Sequence, residues 1–426
     1  MIEQARRIAV IGGSRIPFCR SNTVYSSKSN MDLLSAALQG LIDRFDLHGK
    51  QFDEVIAGAV TTHSRDWNLA REALQSTTMS PLTPGITLQQ ACATSLQGAL
   101  MIGAKIATGQ IECGIAAGTD TTSDFPVVYG KKFSARVAKL GAARSFKQRM
   151  AAFKGFRPSE LKPVVPANGE PRTGLAMGQH CDRMAREWKI SREDQDKLAV
   201  DSHLNAARAY DEGFFDDIVT PWAGVSRDNN IRPDSSVEKL ATLRTVFSTG
   251  GEATMTAANS TPLTDGAAAV LLASEDWAKA NNLPIQAYIT AGRTSAVDYV
   301  NDEGLLMAPT VAVAEMLQAT GLSLQDFDFY EIHEAFAAQV LCTLAAWESE
   351  DYCKNRLGLE QALGSIDREK MNVKGGSVAV GHPFAATGSR IIGSLGQILE
   401  EAGSGRGLIS VCTAGGMGVA AIMERG

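Results

Sequence analysis

The chain has 426 residues, enough for two or three structural units around a sizeable core. With 44% hydrophobic residues, 21% charged residues and 40 glycines, it has neither the polar bias of a disordered chain nor the strict glycine period of a fibre. A formal charge of −6 argues against general nucleic-acid affinity, and no uninterrupted apolar run approaches the roughly 18 residues of a membrane span.

The opening "MIEQARRIAVIGGSRIPF" contains neither a signal-peptide core nor an Arg/Ser-rich presequence, so a cytoplasmic location is expected. Within it "RIAVIGG" predicts a strand. "MDLLSAALQGLIDRF" then predicts a helix with Leu34, Leu38, Leu41 and Phe45 on one face, and "FDEVIAGAV" a second strand. In "QQACATSLQGALMIGAK" a cysteine, Cys92, stands directly ahead of Leu96, Leu100 and Ile106, which recur near helical period. A thiol at a helix mouth faces unsatisfied N–H groups and the positive end of the dipole, which favour thiolate. A covalent nucleophile with a lowered pKa is one expectation, and a small buried hydrophobe is the other.

Residues 124 to about 248 break the strand and helix rhythm and read as an insertion. Between Lys131 and Lys162 stand ten Lys/Arg against the single acid Glu160, with Phe133, Val137, Leu140, Met150 and Phe153 at spacings that suit a helix face. This stretch reads either as a solvated basic helix or as a surface for phosphate, an acidic partner or a membrane. The helix "REDQDKLAVDSHLNAARAY" follows, and "TMTAANSTPLTDGAAAVLLAS" resumes a small-residue turn and a buried strand. The first unit is thus expected at 1–276, interrupted at about 124–248, and the second at 277–426.

The second unit repeats the first. "IQAYITAG" precedes a helix opened by Pro309 and carrying Val313, Met316 and Leu317, and "DFDFYEIHEAF" places His333 at a strand end. "GHPFAATGSRIIGSLGQILEEAGSGRGLISVCTAGG" has the turn, helix and buried strand of "ACATSLQGALMIGAKIATGQIECGIAAGTD". His382 occupies the turn that corresponds to that of Cys92, so a base is expected to face the thiol across a pseudo-twofold. Cys412 ends a strand before a glycine-rich turn whose N–H groups suit an oxyanion. Alternating helices and long buried strands make the class α/β. Seven cysteines without a C-x-x-C pair are expected as reduced thiols, and six histidines without metal-ligand spacing give no expectation of a metal.

The ordered series "RIPF", "QQACATSLQGA", "MGQHCDRMAREW", "SREDQDKLAVDSH", "NNIRPDSSVEKLATLR", "TAANSTPLTDGAAA", "HEAFAAQ", "GHPFAATGSR" and "CTAGGMG" resembles the thiolases, in particular the degradative 3-ketoacyl-CoA branch found as the β subunit of fatty-acid oxidation complexes. The resemblance implies a duplicated five-layer α-β-α-β-α thiolase fold with an inserted loop domain, assembled as a homodimer or dimer of dimers. It implies cleavage of 3-ketoacyl-CoA by CoA in β-oxidation, with CoA and acyl-CoA as substrates and no permanently bound cofactor. An α subunit and a membrane surface are the partners it suggests for 131–162. By match of motifs, Cys92 is the acylated nucleophile, His382 its base, Cys412 the second acid/base and His333 part of an oxyanion site. The N–H groups of Cys92 and Ala414 form a second oxyanion site, and Met177, Thr261, Ala335 and Phe336 contact CoA.

Three departures from the family pattern stand out. Many thiolases carry Asn where His333 stands, Ala385 replaces a glycine common in the histidine motif, and "RIPFCR" differs from R-T-P-F-G, which leaves Cys19 as a structural residue. The competing readings are a biosynthetic acetoacetyl-CoA thiolase and a non-catalytic thiolase-like scaffold. A β-ketoacyl condensing synthase is a further rival, against which Cys412 in C-x-x-G-G argues.

Overall fold

The structure is a computed structural model that describes residues 5–426 apart from 166, 168 and 251. Strand β1 (Ile8–Arg15) is buried almost throughout and leads to the short β2 (Cys19–Arg20). Helix α1 (Asn30–Phe45) starts where Ser29 accepts from the Asp32 N–H and the Asp32 carboxylate accepts from that of Ser29, a reciprocal cap. Its Leu34, Leu38 and Leu41 face the core as their spacing predicts. Next come β3 (Glu54–Gly58), α2 (Leu69–Gln75), β4 (Gly85–Thr87), α3 (Thr94–Ala107) and β5 (Cys113–Asp120). A long excursion carries β6 (Val128–Tyr129), α4 (Lys131–Ala142), α5 (Phe146–Ala152), β7 (Pro163–Val164), α6 (Met177–Glu187), α7 (Arg192–Asp211) and α8 (Val237–Ala241). The chain then returns as β8 (Thr264–Ser274), buried along its whole length. The remainder is α9 (Glu275–Ala280), β9 (Ala287–Ala296), α10 (Ala308–Thr320), β10 (Phe329–Ile332), α11 (Ala337–Glu348), α12 (Glu350–Asn355), α13 (Ser377–Val380), α14 (Thr387–Ala402), β11 (Gly405–Thr413) and β12 (Met417–Arg425).

The duplication is visible in strand order. One series runs β1-β8-β5-β3 and the other β9-β12-β11-β10, each with antiparallel, antiparallel and parallel neighbours in turn. The two series meet where β1 pairs with β9, Ile8 opposite Ile289 and Val10 opposite Ala287. Strand β4 adds a parallel edge beyond β3.

Alternation of side chains along these strands divides the core into layers. Ala9, Ile11, Val55, Ile115 and Leu271 pack with α1 and α2. Val10, Ile56, Ala116 and Leu272 point the other way, toward Leu96, Ile102 and Ile106 of α3 and Ile391 and Leu395 of α14. The same α3 and α14 residues meet Ile409, Val411, Val419 and Ala421 of the second series, whose opposite face, with Leu408 and Ile422, packs with α10 and α11. The result is helix, sheet, helix, sheet, helix, the duplicated α/β arrangement expected from the sequence.

Helices α3 and α14 touch at their N-terminal ends. A Cβ on Gly388 would lie 2.2 Å from the Leu96 backbone nitrogen, and the Ser389 N–H donates to Ser95 Oγ at 2.8 Å. Helix α4 is the opposite case, with no buried residue and with Val137 exposed. Among the described residues no helix is long and apolar enough to cross a membrane. Gly388→Ala is expected to lower the unfolding free energy by about 1–3 kcal/mol or more through overpacking. Gly141→Ala in α4, where nothing lies within 4 Å of the added methyl, should raise it by up to about 1 kcal/mol. Urea unfolding of the two variants checks this, and equal effects would sink the close-approach explanation.

Candidate active site

A single 3₁₀ turn, Ala91–Ala93, delivers Cys92 at the mouth of α3. Ala91 has φ 46°, in the left-handed region that residues with a Cβ seldom adopt. Thr94 braces it: its hydroxyl accepts from the Gln90 N–H at 2.8 Å and donates to the Ala91 carbonyl at 2.7 Å. The Cys92 thiol is buried, with Sγ 3.1 Å from Nε2 of His382. The two turns that the sequence sets in parallel therefore face each other.

The expectation of a lowered thiol pKa is corrected. Burial pushes Cys92 up to about 12, and the charges of Asp120 and Glu170 add to the effect. The N–H groups of Ala414 and of Cys92 itself act in the other direction and do not offset it. A helix dipole contributes typically up to about 1 kcal/mol, whereas full burial moves a titration by several pH units. At rest the group is a thiol whose proton is shared toward a neighbouring nitrogen.

That nitrogen belongs to a neutral imidazole. Burial, helped by Arg390, lowers the His382 pKa to about 3. Its Nδ1 lies 2.6 Å from Thr387 Oγ1 at the start of α14. Gly381 precedes it at φ 105°, where a Cβ would also approach Thr264 Cγ2 to 2.7 Å. His333 follows β10, its N–H donating to the Ser410 carbonyl at 2.8 Å and its ring 4.1 Å from that of His382. Burial, then His382 and Arg390, hold it well below the ordinary histidine range.

Two carboxylates that the sequence does not single out fix this geometry. Asp120 ends β5 and accepts from the N–H groups of Ala385 (2.9 Å), Val60 (3.0 Å) and Thr61 (2.8 Å), joining the histidine loop to the first series. Burial pushes it up to about 6. Its only sequence signal is an acid closing the apolar strand "GIAAGTD". Glu170, from the excursion between β5 and β8, accepts from the Gly415 N–H at 3.1 Å and from the Tyr299 hydroxyl at 3.3 Å, which holds the turn bearing Ala414.

Cys412 lies near the end of β11, its thiol pushed well above the ordinary range by burial and further by Cys92. Met177, Ala335 and Phe336 share an apolar cluster with Cys412, and Phe247 stands edge-on to Phe336 with ring centroids 5.6 Å apart. Thr261 adjoins them, its N–H donating to the Ala335 carbonyl at 3.2 Å. Cys19 lies elsewhere, packed with Ile16, Tyr25 and Leu33. Linear spacing gave no metal pattern, yet donor atoms of Cys92, His333 and His382 lie within 4.8 Å of one another.

Residues 8–276 match the thiolase N-terminal domain and residues 283–425 the thiolase C-terminal domain. The chain belongs to the thiolase family. A 3-ketoacyl-CoA thiolase of Shewanella loihica is 41% identical over 424 residues, spanning 98% of this chain and 97% of the relative. Another, of Shewanella baltica, is 40% identical over 427 residues, spanning 99% and 97%. Among solved structures, the Bacillus anthracis acetyl-CoA acetyltransferase superposes with a TM-score of 0.81 at 27% identity over 99% of each chain. The human mitochondrial 3-ketoacyl-CoA thiolase in complex with CoA gives 0.80 at 27% identity, covering 99% of this chain and 98% of that one.

With the thiol at about 12 and its partner base at about 3, neither group titrates near neutrality. Thiolate therefore grows about tenfold per pH unit through the whole range below the thiol pKa. Alkylation of Cys92 by iodoacetamide in the ligand-free protein, read by mass spectrometry, should climb accordingly from about pH 6 to about pH 9. A plateau below about pH 8 would mean that a thiolate is already formed.

Proposed function

We propose that the chain is a 3-ketoacyl-CoA thiolase acting in fatty-acid β-oxidation, with Cys92 as nucleophile. The observation that carries this reading is the 3.1 Å contact of Cys92 Sγ with His382 Nε2, beside N–H groups of Cys92 and Ala414 that favour the thiolate. His382 Nε2 takes the thiol proton as Sγ adds to the ketone carbon, and the two N–H groups receive the tetrahedral oxyanion. The bond between C2 and C3 breaks, and its electron pair becomes the enolate of acetyl-CoA, whose oxygen lies toward His382 and His333. Cys412 gives its proton to C2, and acetyl-CoA leaves. Incoming CoA passes its thiol proton to Cys412, attacks the acyl-Cys92 thioester and releases the shortened acyl-CoA. The Cys92 thiolate then recovers its proton from His382.

CoA and acyl-CoA are substrates in this reading, with the pantetheine arm along Met177, Thr261, Ala335 and Phe336. The site retains a nucleophile, a base and a second thiol, which favours an enzyme over a scaffold. The identity of the relatives favours the degradative direction over a biosynthetic one. We propose units at 1–276 and 277–426 with an insertion at about 124–248, a homodimer or dimer of dimers, and a cytoplasmic location. The open edge of β4, near exposed Leu82 and Trp67, supports self-association. The stretch 131–162 is proposed as a docking surface for the α subunit of an oxidation complex or an anionic membrane. The exposure of Val137, Phe146 and Met150 beside its lysines supports that role.

Purified protein offered CoA and 3-ketoacyl-CoA esters of several lengths should consume the ketoacyl absorbance, and no turnover at any length would overturn the assignment. Cys92→Ala should not acylate. Cys412→Ala should acylate slowly and turn over about 10²- to 10⁴-fold less, and equal acylation in both variants would refute the two roles. Charge reversal at Lys131, Lys139 and Lys147 should weaken vesicle or α-subunit binding and reduce its salt dependence, with short-chain kinetics kept within about twofold. A strongly raised KM for CoA with unchanged association would make these lysines phosphate ligands instead.

A further inference from the structure

The proposed reaction uses two thiols and two imidazoles, and leaves Ser377, Arg390 and Glu331 without a part. All three are buried behind His333. His333 Nδ1 lies 2.8 Å from Ser377 Oγ, and Arg390 Nη2 donates to the same oxygen at 2.8 Å. Arg390 Nη1 in turn stands 3.7 Å from Glu331 Oε2.

A guanidinium has no lone pair to offer, so Ser377 Oγ can only accept from Arg390. The hydroxyl keeps one proton of its own, and among the described residues His333 Nδ1 is the remaining partner of Oγ. Ser377 therefore donates to Nδ1. A neutral imidazole that accepts at Nδ1 carries its proton on Nε2. Among the described residues that nitrogen is buried without a partner, on a ring tilted 48° to that of His382 with centroids 4.1 Å apart. His382 is wired the other way: to accept the Cys92 proton at Nε2 it must hold its own proton on Nδ1, where Thr387 Oγ1 accepts it.

We propose that Ser377 and Arg390 are positioning residues that hold His333 in the Nε2–H tautomer, so that a donor faces the substrate's enolate oxygen while the neighbouring His382 is held in the opposite tautomer as a base. This rests on the thiolase reading for its consequence, but the tautomer itself is a property of the ligand-free protein. It also explains how two adjacent imidazoles divide their work without either being charged at rest. The same wiring opposes metal capture by Cys92, His333 and His382, because a ligating Nε2 cannot keep its proton.

The test is ¹⁵N spectroscopy of histidine-labelled, ligand-free protein, with His333 assigned from the spectrum of His333→Asn. A pyrrole-type Nε2 and a pyridine-type Nδ1 are expected in the wild type and in Ser377→Thr. Mixed or reversed signals are expected in Ser377→Ala and Arg390→Met. In kinetics, these last two should lose up to about 10²-fold in the carbon–carbon cleavage step, as when an oxyanion donor is removed. Acylation of Cys92 by acyl-CoA should stay within about twofold in Ser377→Ala, and Ser377→Thr should restore cleavage. A wild-type His333 protonated at Nδ1, or tight stoichiometric zinc(II) uptake that depends on His333, would overturn the proposal whatever the enzyme's activity. Absence of thiolysis with the Nε2–H signal intact would instead overturn the functional reading.

Discussion

The site depends on one close approach, that of the first turns of α3 and α14 between the two strand series. It is possible only because Gly388 presents no side chain to the backbone of Leu96 and Gly118 none to the carbonyl of Ala385, where a Cβ would come to 2.0 Å. With those two positions bare, the Cys92 turn and the His382 loop reach bonding distance although 290 residues separate them in the chain. Asp120 then ties the Ala385 N–H to the β3 loop, so the spacing is fixed by backbone bonds as well as by packing. A side chain at either glycine would act on chemistry through geometry rather than through lost contacts.

Burial sets the electrostatic character of the centre. Thiols rise and imidazoles fall, so the resting site holds no ions among the four side chains proposed to react. In the proposed reaction charge arises only when a substrate carbonyl gives it somewhere to go, and the N–H groups of Cys92 and Ala414 are the ones proposed to receive it. The carboxylate that steadies Ala414's turn, Glu170, comes from the excursion between β5 and β8. That excursion therefore contributes to the site's stiffness as well as to the surface.

Much of this was legible in the sequence, for a physical reason. Small-residue turns before helices, buried β-branched strands and their repetition in the same order are local patterns, and they located Cys92, His382, His333 and Cys412 on elements the structure contains. Three matters were not local. The acidity of Cys92 depends on what covers it, and the chain shows the helix mouth but not the desolvation. Asp120 and Glu170 act on backbone N–H groups remote in sequence and belong to no motif. The apolar residues of α4, read as a face of either a solvated basic helix or a docking surface, lie on a helix with no buried position, and periodicity alone does not say what that face meets.

The strand order has a consequence for how the molecule is made. In each series the strand that comes last in the chain goes into the interior of the sheet: β8 between β1 and β5, and β12 between β9 and β11. A sheet of this kind cannot grow by adding edges in the order of synthesis. The first series keeps an open slot until Thr264–Ser274 arrives, and the second until Met417–Arg425 does. Until then the slot's flanking strands lack their partner, and both slots lie beside the helix pair that carries Cys92 and His382 at its N-terminal ends. The core that covers Cys92 draws on both late strands at once, with Val270 and Leu272 from one and Val419, Ala421 and Met423 from the other.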